Sequence, residues 1–261
     1  MIWRLPDRIL TFDRPLVMGI LNLTPDSFSD GGKYYKNGCI DADAAVAAAA
    51  DMERAGADVI DVGAESTRPG CTPLSGEEEW ARLEPLFAAV GGKVSVPISI
   101  DTYHPETAAR AVAAGAQIIN DVTGFSDPDM LAVAAETQAA IILMHCADIS
   151  DKPDAVGEVR SFFAGFDPVA RKYGIPAEKI MLDVGVGFGK SMEQNLELIR
   201  RCGATRVNGR PILVGASRKR VIEHFCGKLP PDERDAGTVA AHNLAILSGA
   251  NMIRTHLIPD A

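Results

Sequence analysis

Residues 17–32 read V-M-G-I-L-N-L-T-P-D-S-F-S-D-G-G and join an apolar run to a polar loop. The apolar run at residues 16–21 predicts a buried parallel strand. Thr24, Pro25 and the Asp, Ser and Gly residues after them are typical of a loop. Asn22 therefore falls at the carboxyl end of a strand, where α/β proteins bind their ligands. Taken alone, the stretch is equally compatible with an ordinary strand and turn.

The same pattern recurs along the whole chain. Further short apolar runs predict strands at residues 58–62, 97–100, 117–119, 139–143, 180–182, 211–214 and 251–254. Helices are predicted between them, including one at residues 159–173 with a break at Pro168. Eight β/α units in 261 residues indicate an α/β protein with a (β/α)8 TIM barrel, in a single domain spanning residues 1–261. A doubly wound sheet fits less well, because it usually has fewer strands and a Gly-rich first turn.

The two ends of the chain carry separate expectations. Residues 1–15 predict a short extended segment that precedes the first strand. The sequence ends at Ala261, shortly after the eighth predicted strand, where an eighth outer helix would begin. We therefore expect this helix to be missing or truncated, which would leave apolar strand surface for a partner.

Composition narrows the class of protein. The chain is 47% hydrophobic, which is enough for a full core, and its formal net charge of -9 argues against a nucleic-acid partner. No apolar run is long enough to span a membrane, and the first residues do not form a signal peptide. The five cysteines are scattered without a C-x-x-C pair, which favours reduced thiols. We expect a cytoplasmic protein without membrane or nucleic-acid partners.

Polar residues follow nearly every predicted strand, and a barrel would bring them to one mouth. Singly, Asp101 or Asp183 would be interpreted as a turn or helix-capping residue. As a set they indicate a binding site. The set comprises Asn22, Thr67, Arg68, Asp101, Asn120, Met144, His145, Asp183, Ser217, Lys219, Arg220, Arg254 and His256.

Three local motifs suggest ligands. The G-V-G-F-G-K run that ends at Lys190 has one residue too few for a Walker A loop, so it favours a flexible loop with Phe188 as an apolar lid. His145 and Cys146 lack further ligands for a zinc site. The basic run from Ser217 directly follows a predicted strand at the start of a helix, which favours an anionic ligand.

Seven blocks in the same order give the chain a resemblance to the dihydropteroate synthase family. They are M-G-I-L-N-L-T-P-D-S-F-S-D-G-G, D-V-G-A-E-S-T-R-P-G, S-I-D-T, I-I-N-D-V, D-V-G-V-G-F-G-K, V-G-A-S-R-K-R and I-R-T-H. The resemblance implies condensation of 6-hydroxymethyl-7,8-dihydropterin diphosphate with 4-aminobenzoate. It also implies release of diphosphate with Mg2+ as cofactor, a homodimer, and an enzyme of the class that sulfonamides target.

The resemblance assigns the pterin pocket to Asp101, Asn120, Asp183 and Lys219, with Met144 packed on the ring. A carboxylate such as Asp183 can accept both parallel N–H donors of the pterin edge. Asn120 offers a donor and an acceptor to neighbouring ring atoms.

The resemblance assigns the diphosphate and Mg2+ to Asn22, Arg254 and His256. The amide oxygen of Asn22 would be one ligand of the cation, the phosphates would supply others, and Arg254 would bind phosphate oxygens with its fork. The implied 4-aminobenzoate site comprises Asp26, Ser27, Thr67, Arg68, Pro69, Phe188, Ser217, Lys219 and Arg220.

The implied reaction is a dissociative substitution. Diphosphate leaves first, and the carboxylates of Asp101 and Asp183 stabilise the cation left on the pterin methylene. Asn120 and Lys219 are placed among the catalytic residues with them. The alternatives are a methyltetrahydrofolate:corrinoid methyltransferase-like barrel and a non-catalytic pterin-binding paralogue. Arg220 stands where many relatives have Ser, and Cys146 begins a segment that departs from the family pattern.

Overall fold

Eight parallel strands close into a barrel in the computed structural model, which describes residues 1–24, 34–36, 39–66 and 72–258. The strands pair in chain order, and the eighth pairs with the first through Met252 and Leu16. They are β1 (Leu16–Asn22), β2 (Val59–Gly63), β3 (Ile98–Asp101), β4 (Ile118–Asp121), β5 (Ala140–Met144), β6 (Ile180–Asp183), β7 (Ile212–Val214) and β8 (Met252–Thr255). The barrel prediction is confirmed.

Helices surround the barrel, and all of them except the short α7 bury residues against it. They are α1 (Ala42–Arg54), α2 (Gly76–Val90), α3 (Pro105–Ala113), α4 (Pro128–Thr137), α5 (Ala155–Tyr173), α6 (Met192–Arg201), the four-residue α7 (Glu223–Cys226) and α8 (Asp235–Leu247). Ser75 and Ser191 begin α2 and α6 with capping boxes, as their spacing to Glu78 and Gln194 indicates. The positions of the helices follow from local signals of this kind.

The predicted break at Pro168 is wrong, because α5 continues through this residue to Tyr173. Proline removes one backbone hydrogen bond and strains the preceding turn. The side chains of Phe163, Phe166 and Ala170 are buried on both sides of it. Their packing against the core holds the helix in one piece across the proline.

The expectation for the amino terminus is also corrected, since it forms a hairpin and not a single extended segment. Ile2–Arg4 pairs antiparallel with Ile9–Thr11. Trp3 is fully buried, and its indole Nε1 donates to the carbonyl oxygen of Lys179 at 3.0 Å. Because Lys179 immediately precedes β6, the hairpin covers the amino-terminal end of the barrel.

Substitution Trp3→Ala is expected to lower the free energy of unfolding by about 3–5 kcal/mol, because a fully buried indole leaves a cavity. Urea denaturation measures this change. Trp3→Phe is the control: it keeps most of the buried ring and should cost clearly less. A loss below about 1 kcal/mol for the alanine variant would show that the hairpin does not cover the core.

No helix follows β8 in the described chain, which extends to residue 258 at this end. Two apolar side chains near this point are exposed: Leu247, at the end of α8, is 87% exposed and Leu257 is 46% exposed. Among the residues described, none of the helices is both long and apolar enough to cross a membrane.

Candidate active site

The described residues of the predicted set meet at the carboxyl-terminal mouth of the barrel. Asn22, Asp101, Met144 and Asp183 are the last residues of β1, β3, β5 and β6. Asp101 is directly opposite Asn120 in the sheet, and Asp183 is opposite Met144. Five predicted residues lie outside the described residues: Asp26, Ser27, Thr67, Arg68 and Pro69.

Arg254 binds two carboxylates at the centre of this mouth. Its Nε donates to Oδ2 of Asp61 at 2.6 Å, and its Nη2 donates to Oδ2 of Asp101 at 2.7 Å. The Nδ2 of Asn120 donates to the same oxygen of Asp61 at 3.0 Å. The sequence analysis placed Arg254 and Asp101 at different ends of the site, whereas the structure joins them in one network.

Asp61 is the residue of this network that the sequence analysis missed. It lies in the middle of β2 and is fully buried. A carboxylate in a buried strand is costly unless it is paired, so the lone Asp within V-I-D-V was a usable signal. Its Oδ1 is buried without a hydrogen-bond partner, so the network holds Asp61 through one oxygen only.

The charges in the network are strongly perturbed. Desolvation by burial raises the pKa of Asp101 to about 7, against the opposing effect of the Arg254 guanidinium. Burial disfavours the charged form of Arg254, but the carboxylates of Asp61 and Asp101 outweigh this and raise its pKa. Asp101 therefore exchanges a proton near neutral pH and can offer either an acceptor or a donor to a ligand.

Asp183 and Lys219 supply further charges at the mouth, and each affects the pKa of the other. Oδ1 of Asp183 accepts the backbone N–H of Gly185 at 2.8 Å, and burial raises the pKa of this carboxyl. Nζ of Lys219 donates to the carbonyl of Val186 at 2.7 Å and lies 4.7 Å from the centroid of the Phe188 ring. Desolvation lowers the pKa of Lys219 to about 8, although Asp183 opposes the shift.

The basic run after β7 is not one cluster. The guanidinium of Arg218 is bound to Asp235 at 2.7 Å, Lys219 points to the loop after β6, and Arg220 is exposed. Only a one-turn 3-10 helix and the short α7 follow. The regular helix expected after this run is therefore not observed, and the anionic ligand stays a prediction.

Ser217 and His256 meet beside this run. The hydroxyl of Ser217 lies 2.9 Å from Nδ1 of His256 and accepts the backbone N–H of the same residue at 3.1 Å. The contact ties the start of the β7 loop to the residue that follows β8. It orients the His256 ring at the edge of the mouth.

The predicted loop at residues 185–190 is held by several side-chain hydrogen bonds. The Lys190 ammonium donates to backbone carbonyls of this loop and of the loop after β5, and the N–H of Gly187 donates to Oδ1 of Asn195 at 2.7 Å. Hydrogen bonds therefore hold this loop both to the loop after β5 and to α6. With its donors used in this way, Lys190 does not serve as a Walker-type phosphate lysine.

The described residues hold no group of three or more His, Cys, Asp or Glu side chains arranged to bind a metal ion. Burial lowers the pKa of His145 to about 4, and its Nδ1 is buried without a partner. Asn22 lies half-buried at the end of β1. Mg2+ commonly takes only one or two protein oxygens and completes its shell with phosphates and water, so the Asn22 amide fits a substrate-borne Mg2+.

The sequence matches the family described as pterin binding enzyme over residues 18–256. It is 43% identical to a dihydropteroate synthase of Synechocystis, over 93% of this chain and 85% of that protein. A Xanthomonas albilineans dihydropteroate synthase structure with 4-aminobenzoic acid superposes with a TM-score of 0.86 at 42% identity, covering 96% of this chain and 90% of that one. A Yersinia pestis dihydropteroate synthase structure with a sulfonamide drug complex gives a TM-score of 0.92 at 35% identity, covering 100% and 95%.

Proposed function

The chain belongs to the pterin-binding enzyme family, as a dihydropteroate synthase, and from this premise we propose which of its side chains carry the reaction. The enzyme condenses 6-hydroxymethyl-7,8-dihydropterin diphosphate with 4-aminobenzoate, releasing diphosphate. The curated relatives favour this activity over the corrinoid methyltransferase and the non-catalytic paralogue. The observation that carries the residue assignment is the network that joins Asp61, Arg254, Asp101 and Asn120 beside Asp183.

In this proposal the pterin ring lies between Asp101, Asn120, Asp183 and Lys219, with Met144 against its face. The Asp183 carboxylate accepts the two parallel N–H groups of the ring edge. Because Nδ2 of Asn120 already donates to Asp61, its Oδ1 is turned toward ligand donors. A ring without those donors would leave buried polar groups unpaired, so the pocket should reject it.

The diphosphate is assigned to the side of the mouth with Asn22, Arg254 and His256. Arg254 keeps its positive charge through its two carboxylate partners and supplies it next to the leaving group. Mg2+, held by the Asn22 amide oxygen and the phosphates, would neutralise charge on the departing diphosphate. His256 is oriented by Ser217 for the same region.

The 4-aminobenzoate subsite is assigned to Phe188, Lys219, Ser217 and Arg220, together with Thr67, Arg68 and Pro69. The Lys219 ammonium over the Phe188 ring pairs a cation for the carboxylate with an apolar face for the benzene ring. By analogy with the Yersinia pestis structure, a sulfonamide would occupy this subsite, with Arg220 at its exposed edge.

The proposed mechanism is a dissociative substitution. The bond between the pterin methylene carbon and the diphosphate oxygen breaks first, and its electron pair leaves with diphosphate. The carboxyls of Asp101 and Asp183 stabilise the cation that remains on the methylene. The amine of 4-aminobenzoate then donates its lone pair to this carbon, forming the C–N bond, and passes a proton to the released diphosphate. The side chains supply charge and position, and no covalent enzyme intermediate is needed.

Metal removal tests the assignment of the diphosphate end. Calorimetric titration with the pterin diphosphate should give a Kd at least about tenfold higher in EDTA than with Mg2+, because Asn22 would hold the cation that accompanies the diphosphate. The same titration with 6-hydroxymethyl-7,8-dihydropterin, which lacks the diphosphate, should not depend on Mg2+. Equal effects on both ligands would contradict a metal site at the diphosphate.

We also propose that the chain acts as a homodimer in the cytoplasm. The support is the exposed apolar surface on α8, where Val239 is 44% and Leu247 is 87% exposed. Analytical ultracentrifugation of the wild type and of Leu247→Glu measures this. The dimer should be weakened in the variant, and a monomeric wild type would contradict the proposal.

A further inference from the structure

Lys190 is a half-buried lysine whose ammonium donates to backbone carbonyls. Its Nζ donates to the oxygens of His145 at 3.0 Å, Gly185 at 3.0 Å and Phe188 at 2.7 Å. An ammonium has three N–H donors, so these carbonyls use all of them. The cation is thus part of the wall of the mouth and not a free charge for a ligand.

The three carbonyls come from two loops, one after β5 and one after β6. His145 belongs to the first, and Gly185 and Phe188 belong to the second. The loops approach so closely that a Cβ at Gly185 would lie 1.9 Å from the His145 oxygen, and Gly185 has a φ of +68°. Only glycine fits this crossing. The Lys190 ammonium lies between the two loops and stabilises the partial negative charges of the carbonyl oxygens that meet there.

The loop that Lys190 closes also holds Lys219. The carbonyl of Val186 accepts from Nζ of Lys219 at 2.7 Å, and the Phe188 ring lies 4.7 Å from that ammonium. Gly187, between them, is fastened to Asn195. The position of the Lys219 ammonium therefore depends on the conformation of the loop after β6, which Lys190 holds through its hydrogen bonds to Gly185 and Phe188.

We propose that Lys190 is a positioning residue: its ammonium holds Phe188, and through Val186 also Lys219, in the geometry that receives 4-aminobenzoate. The inference rests on the proposed function for the identity of that subsite. This role adds to the 4-aminobenzoate subsite a residue, Lys190, that need not contact the substrate. It also gives a structural reason for the basic residue that ends the G-V-G-F-G-K run.

Substitution Lys190→Met removes the ammonium and keeps most of the side-chain volume. The KM for 4-aminobenzoate should rise about tenfold, because Phe188 and Lys219 lose their fixed place. Lys179→Met is the matched control. Lys179 is buried, and its ammonium likewise donates to a carbonyl, that of Gln138, and to the side-chain oxygen of the same residue, but it lies before β6 at the other end of the barrel. The Lys179→Met substitution should lower Tm and should change the KM for 4-aminobenzoate less than about twofold.

A double-mutant cycle separates positioning from a general loss of stability. Phe188→Ala alone should raise the KM for 4-aminobenzoate about tenfold, and adding Lys190→Met should raise it little further, because both changes disturb one unit. If Lys190→Met does not fold, Lys190→Gln, which keeps two N–H donors, replaces it in the cycle.

Each outcome has a distinct meaning. Additive effects in the cycle, an unchanged KM in the Lys190 variant, or an equal effect of Lys179→Met would overturn the positioning role. An unchanged KM in Phe188→Ala alone would instead overturn the assignment of the 4-aminobenzoate subsite. The two failures are therefore distinguishable.

Discussion

Asp183→Ala is expected to lower kcat/KM for the pterin diphosphate by about 10²-fold or more, the scale of losing one preorganised electrostatic group. Asp183 is buried at the end of β6, next to the charge of Lys219. Its carboxylate is assigned both to the two ring donors and to the developing cation. Steady-state kinetics with 4-aminobenzoate at saturation measures the change.

Asp121→Asn is the control for this variant. Asp121 is another fully buried aspartate, at the end of β4, and its oxygens accept the backbone N–H groups of Thr123 at 2.7 Å and Phe125 at 2.9 Å. It has no assigned contact with substrate, so kcat/KM per folded molecule should change less than about threefold. A similar loss in both variants, or less than tenfold in Asp183→Ala, would exclude the assigned role.

Arg254→Met is expected to lower the free energy of unfolding by about 3–5 kcal/mol at pH 8, because it leaves the fully buried Asp61 and the largely buried Asp101 without their cation. Asp61 and Asp101 both lose a charge-assisted hydrogen bond from Arg254. Turnover should also be lost, since the network holds the pocket together. Urea denaturation followed by circular dichroism measures the free energy of unfolding.

The loss of unfolding free energy in Arg254→Met, relative to the wild type, should grow as the pH rises. Asp101 has a pKa of about 7 in the folded protein against 3.8 as its ordinary value, so folding takes up a proton between these values. The stability from this proton is full below about pH 4 and is lost as pH rises through 7. Without the guanidinium, the stability of the variant depends more on the protonation of Asp101. The unfolding free energies of the variant and the wild type should therefore be closest at low pH.

Arg14→Met provides the comparison for the charge effect. Arg14 also binds an aspartate, Asp58, at 2.6 Å, but its side chain is 62% exposed. An exposed pair contributes about 0–1 kcal/mol, and its loss should not depend on pH in this range. An equal loss in Arg14→Met and Arg254→Met would show that the buried network does not matter for stability.

The barrel could be predicted because each of its strands is a short apolar run, buried on both faces and separated by helix signals. The strand-end residues followed from the topology alone. Asp61 could not be placed in this way, because it lies two residues before the end of β2. Its inward direction depends on the register with β3, where it is opposite Ser99.

Other features depend on contacts that residue types do not encode. The partners of Lys190 are backbone carbonyls, which every sequence has, so its role requires the loop conformation. The run at Arg218 looked like one cluster, but Arg218 has a φ of +59°, and the turn sends neighbouring side chains in different directions. The Trp3 hairpin has strands of three residues, too short for a periodic signal.

The most direct test of the central claim mixes the purified protein with the dihydropterin diphosphate, 4-aminobenzoate and Mg2+, and measures diphosphate and dihydropteroate together. We predict that both form in equal amounts with the wild type, that neither forms in EDTA, and that Asp183→Ala lowers both in parallel. Tight binding of the pterin diphosphate with no dihydropteroate formed would contradict the account, and so would product formation that Asp183→Ala leaves unchanged.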